Sequence, residues 1–78
     1  MEVKDKIRVL GRGWVFIVEP TCEINIPDKV ICGENKFEIA GIERLSFVKK
    51  IGLVLLPNDI ACKTINIGDN IIINNISV

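Results

Sequence analysis

Apolar and polar positions alternate clearly only at the start of this chain; further on, the apolar residues gather in short runs. Val3, Ile7 and Val9 interleave with Lys4, Lys6 and Arg8, a near-alternation over residues 3–10 that predicts a strand with one wet face. Gly11-Arg12-Gly13 breaks the pattern, and two glycines around one residue predict a tight turn or bulge. Trp14 to Val18 is a continuous apolar run, too short for a helix, and is expected to form a buried strand ended by Pro20. Ile26-Pro27-Asp28 leads into a strand at Val30-Ile31-Cys32, and Gly33-Glu34-Asn35 turns the chain. Phe37, Ile39 and Ala40 open the next strand, where Gly41 predicts a bulge or a close backbone neighbour. Lys49-Lys50 marks a loop. Ile51 to Leu56 is the most apolar run and lacks any polar alternation, so both its faces should be covered. After Pro57, residues 58–63 predict one helical turn with a polar cap at Asn58 or Asp59 and Ile60 as its apolar contact with that strand. Ile71-Ile72-Ile73 forms the last strand.

Residues 25–31 read Asn-Ile-Pro-Asp-Lys-Val-Ile, and residues 66–72 read Asn-Ile-Gly-Asp-Asn-Ile-Ile. Each is an apolar anchor, a turn built on Pro or Gly followed by Asp, and a β-branched strand. Duplication could produce such a pair. The favoured reading is one turn chemistry used twice to feed two strands into one barrel.

Composition points the same way. Fifteen Ile and eight Val stand against two Ala, and β-branched side chains suit a pleated surface better than a helix. With 78 residues there is room for one domain, residues 1–78, and one core. Six or so short strands with Gly and Pro at their joints predict an all-β fold. The expected form is a small, closed or nearly closed antiparallel β-barrel with at most one short helical turn. Closure would also remove the sheet edges that an Ile-rich chain could not safely expose.

Charge and chemistry narrow the function. Ten basic and ten acidic residues cancel, which argues against global steering towards a phosphate backbone. There is no His, so the commonest general base and neutral metal ligand are both missing. Ser46 and Ser77 lack the context of a nucleophile, and no catalytic residue is expected. Cys22, Cys32 and Cys62 are odd in number and widely spaced, suiting neither a zinc site nor a disulfide scaffold. They are expected to be buried, reduced thiols. No metal and no cofactor is expected. The charged start, Met-Glu-Val-Lys-Asp-Lys, does not resemble a leader peptide, and no stretch approaches the roughly 20 apolar residues of a membrane span. A cytoplasmic location follows as the expectation, with Asn75-Ile76-Ser77 a chance glycosylation sequon.

Several blocks occur in a meaningful order: Val3-Lys4-Asp5, Gly11-Arg12-Gly13-x-Val15, Ile26-Pro27-Asp28-x-Val30, Ala40-Gly41-Ile42-Glu43, Gly52-Leu53-Val54-Leu55-Leu56 and Ile65-x-Ile67-Gly68-Asp69-x-Ile71. Over roughly residues 3 to 73 they resemble the β-barrel second domain of elongation factor Tu and related translational GTPases. Two departures stand out. Trp14 replaces the Thr usual after Gly-Arg-Gly, and the segment Arg44–Lys50 is short. The chain also carries no Gly-x-x-x-x-Gly-Lys-Ser/Thr phosphate loop, so no nucleotide hydrolysis is expected.

The resemblance supplies the candidate site residues. Glu43 matches the family Glu that helps hold the terminal adenosine of aminoacyl-tRNA, a carboxylate able to accept from a ribose hydroxyl. Arg12 matches the Arg that borders neighbouring domains and the tRNA end, and Asp5 an Asp beside the aminoacyl pocket. Trp14 is a core residue or, facing outward, a surface anchor. Together these readings imply a non-catalytic, stand-alone binding module whose partner is another protein or a second copy of itself. The alternative is an RNA-binding accessory acting near tRNA or the ribosome.

Overall fold

The fold is seen in a computed structural model that describes residues 1–26, 28–45 and 48–74. Pro27, Ser46, Phe47 and residues 75–78, with the sequon and both serines, lie outside the described residues. Strands β1 (Val3–Val9), β2 (Gly13–Val18), β3 (Lys29–Cys32), β4 (Asn35–Arg44), β5 (Ile51–Leu56) and β6 (Ile72–Asn74) form one sheet, with helix α1 (Asn58–Thr64) between the last two. The sheet order is β1-β2-β5-β4-β3-β6, and every neighbouring pair is antiparallel. The most apolar run, β5, is central, as its sequence requires. The sheet itself is not closed. Its two ends are nevertheless joined outside the strands by a Glu2–Asn70 bridge. Backbone hydrogen bonds run from Val3 N to Asp69 O, from Gly68 N to Val3 O and from Ile71 N to Met1 O, each 2.8–2.9 Å long.

One face of the sheet holds the main core. Phe16, Val18, Val30, Phe37, Ile39, Ile51, Leu53 and Leu55 meet there with Val3, Ile71 and, from the helical segment, Ala61 and Ile65. Each fully buried aliphatic contributes about 1.5–3 kcal/mol against the entropy of ordering the chain. Val15, Ile17 and Val54 form a smaller cluster on the opposite face. Both faces of β5 are thus apolar and covered, except at Leu56, which is exposed where full burial was expected.

The helix departs from expectation in three ways. It runs for seven residues, about two turns rather than one. Its inward residue is Ala61, while Ile60 is exposed, because Ala61 and Ile65 lie four apart on one side and bury into the main core. It therefore lies against the core face of the sheet, and the second face of β5 is left to Val15 and Ile17. No side chain caps its N-terminus, where Pro57 occupies the cap position. Asn58 is committed elsewhere: its Oδ1 accepts from Trp14 N at 2.8 Å, and its Nδ2 donates to Trp14 O and Leu55 O at 3.0 Å. At the other end Lys6 Nζ donates to Cys62 O and Ile65 O, placing a cation on the terminal carbonyls.

The repeated turns extend further than their sequence. Asn25 N donates to Asp28 Oδ2 at 2.8 Å, and Asn66 N to Asp69 Oδ2 at 2.9 Å. Asp28 N returns to Asn25 O, and Asp69 N to Asn66 O. Asp28 O then accepts from Ile39 N on β4, just as Asp69 O accepts from Val3 N on β1. Exchanging β1 with β4, β2 with β5 and β3 with β6 reproduces the whole order of neighbours, the Met1–Val3 to Gly68–Ile71 link standing for the β4–β3 pair. Even the bulges match, lying between Val3 and Asp5 on β1 and between Ile39 and Gly41 on β4. The same turn chemistry does feed two strands, within two units that match in strand order and bulge position, although only the second contains a helix.

Candidate functional site

The bulges decide which side chains reach the second face. Val3 points into the core, but the extra residue at Lys4 reverses the alternation beyond it. Lys6 and Arg8 then pair with Phe16 and Trp14 on the core side, while Asp5, Ile7 and Val9 pair with Ile17, Val15 and Gly13 on the outer side. Beyond the bulge neither side of β1 is uniformly wet: Lys6 and Val9 are half-buried, and Ile7 and Arg8 are exposed. The bulge at Ala40 likewise sends Ile42 to the core and Gly41 and Glu43 outward.

On this outer face lies a groove of about 330 Å³. Ile7, Val9 and Leu10 form one wall, Glu43 and Leu45 the other, and Val15 and Ile17 the floor. Glycine makes room for it. A Cβ on Gly52 would stand 2.5 Å from Val15 Cγ1, so Val15 could not hold its place beside any larger residue. Leu10 sits at the tip of the β1–β2 turn, closed by Arg12 N donating to Val9 O, and is fully exposed.

Arg12 and Glu43 meet at this groove, with Nη1 and Oε1 2.8 Å apart. The guanidinium crosses from the β1–β2 turn to β4, and its Nη1 lies 3.5 Å from where a Cβ on Gly41 would be. Both partners are about half exposed, so the pair contributes at most about 1 kcal/mol of stability. Its larger effect is to fix two long side chains across an apolar floor.

The other candidates fall elsewhere. Asp5 shares a cross-strand row with Ile17, Gly52 and Glu43, three strand spacings or roughly 14 Å from Glu43. It accepts from the Lys6 backbone N–H and stands outside the groove lining. Trp14 faces the other way, half-buried against the main core and held by Asn58. Of the three positions taken from the resemblance, Arg12 and Glu43 are thus brought together and Asp5 is not, while Trp14, the candidate surface anchor, packs against the core.

The thiols correct a sequence expectation. Only Cys32 is buried; Cys62 is intermediate and Cys22 exposed, because Cys22 lies in the loop after β2 and not in a strand. Burial, helped by the nearby Asp69 carboxylate, raises the Cys32 pKa above the usual thiol value and keeps it a neutral thiol. Its stabilising contribution is complete below the unfolded-state value and is lost as pH rises through the higher folded-state value. A thiol-reactive chromophore at neutral pH is expected to label Cys22 fast, Cys62 more slowly and Cys32 only on unfolding. Three equal rates would contradict this placement.

Among the described residues no three His, Cys, Asp or Glu side chains gather as a metal site, and no helix is long and apolar enough to cross a membrane. Comparison with protein-family models, curated proteins and solved structures returns no match to this chain.

Proposed function

We propose that this chain is a non-catalytic binding module, a protein-interaction barrel that engages its partner through the outer-face groove. The observation that carries this reading is the groove itself: an apolar floor and wall, bordered by Leu10, the most exposed large apolar side chain among the described residues. An Arg–Glu pair beside such a surface adds polar specificity to an apolar anchor site, as the polar rim of a protein interface does. The barrel reading rests on the hydrogen bonds that join Met1–Val3 to Gly68–Ile71 at the two ends of the sheet. Kinship with the second domain of translational GTPases rests on the order of the sequence blocks. It draws support from Gly-Arg-Gly falling at the β1–β2 turn and from Glu43 pairing with its Arg. In those factors the domain packs against neighbouring domains, so a related domain would carry a docking face.

A protein partner is favoured over RNA because Arg12 is neutralised by Glu43 and the chain has no net charge to attract phosphate. The test is affinity capture from native lysate with the wild type and with Ile7→Glu as baits. The reading expects a stoichiometric protein retained by the first and lost by the second. Equal capture by both baits would contradict it. So would saturable binding of a tRNA acceptor-stem mimic that Glu43→Ala weakens, the result expected of an RNA-binding accessory.

A further inference from the structure

We infer that the occupant of the outer-face groove is a second copy of this chain, docked about a twofold axis so that each copy's Leu10 enters the other's groove. The inference rests on the binding-module reading above and names its partner. A knob and a hole are present on the same face: Leu10 is completely exposed at a turn tip where any polar residue would serve, and it borders an apolar groove of about 330 Å³. When both halves of a contact lie on one surface, a twofold operation satisfies both at once.

Charge supports the same arrangement. The groove carries one cation and one anion, Arg12 and Glu43, side by side. A twofold axis running across the Arg12–Glu43 direction presents these as opposed dipoles, Arg12 of each copy facing Glu43 of the other, and in that arrangement the surface is complementary to itself. A foreign partner of either net sign would find only half of this pattern attractive. The chain as a whole has net charge +0, so no long-range repulsion opposes self-association. A specific dimer needs roughly 600 Å² from each copy, about an eighth of the 5127 Å² this chain exposes.

Self-complementarity gives a sharp test by sedimentation velocity over a concentration series up to about 1 mM. The wild type is expected to pass from monomer to dimer. Leu10→Asp, which changes only an exposed turn residue, should weaken association at least tenfold. Arg12→Glu and Glu43→Arg should each do the same, since each leaves like charges facing across the axis. An equimolar mixture of these two charge variants should recover a dimer that neither forms alone. Native circular dichroism of each variant confirms that folding is kept. A wild type that stays monomeric throughout overturns the inference, and so does a dimer indifferent to Leu10→Asp. The binding-module reading fails separately: a monomeric chain whose capture of another protein is lost with Ile7→Glu would refute self-docking and leave that reading standing.

Discussion

Replacing Leu55 with Asp is expected to abolish cooperative folding. Leu55 is completely buried in central strand β5, among the side chains of the main core. Truncating a buried Leu costs about 2–5 kcal/mol from lost contacts alone. A carboxylate in its place has no partner and must either stay charged in an apolar site or take up a proton at further cost. A chain of this length holds roughly 4–12 kcal/mol of stability, so the two penalties together exceed or exhaust it. Leu56→Asp is the matched control. Leu56 is next in the strand and 45% exposed, so its variant should unfold within about 1 kcal/mol of the wild type. Urea titration followed by far-UV circular dichroism reads both. A cooperative transition for Leu55→Asp would contradict the placement of the core.

Gly13→Ala is expected to cost about 3 kcal/mol or more, against about 1 kcal/mol for Gly11→Ala. Both glycines have positive φ, +87° and +84°, so alanine strains the backbone at either. Around Gly11 a new Cβ meets nothing within 4 Å. At Gly13 it would stand 2.5 Å from Asn58 Oδ1. That atom accepts from Trp14 N, and the same side chain donates to Trp14 O and Leu55 O, so moving it breaks the bonds that tie α1 to β2 and β5. Equal costs at the two positions, measured by urea titration, would show that Asn58 does not hold this junction.

The contrast between these glycines shows what the sequence conceals. Gly-Arg-Gly signals a turn, and positive φ at both glycines follows from local chemistry. That Gly13 also makes room for Asn58, 45 residues away, depends on tertiary contact. The order and type of the strands were legible for the same local reason: short β-branched runs separated by Gly, Pro and Asn. The direction of the β1 side chains was not. Val3, Ile7 and Val9 keep the same parity whether or not Lys4 is bulged, so alternation cannot detect the reversal that puts Ile7 and Val9 outside. Gly41 gave the only hint, since it predicted a bulge on β4 at the position equivalent to the one on β1. The helix misled for a related reason. Ile60 is more apolar than Ala61, but it is Ala61 that shares the inward side of α1 with Ile65. The site was half legible. Arg12 and Glu43 were indicated by resemblance, whereas the groove they share depends on the outward turn of Ile7 and Val9.

Methyl NMR would show whether the outer face between β1 and β4 is the binding surface. Ile, Leu and Val methyls would be followed as the chain is concentrated or its captured partner is added. Exposed reporters lie on three different surfaces: Ile7 and Leu10 at the groove, Ile60 on the helix and Ile72 on the edge strand. The account predicts progressive shifts at Ile7, Leu10, Val15 and Ile17, with Ile60 and Ile72 unmoved. Shifts centred on Ile72 or Ile60, with Ile7 and Leu10 silent, would place the interaction elsewhere and contradict it.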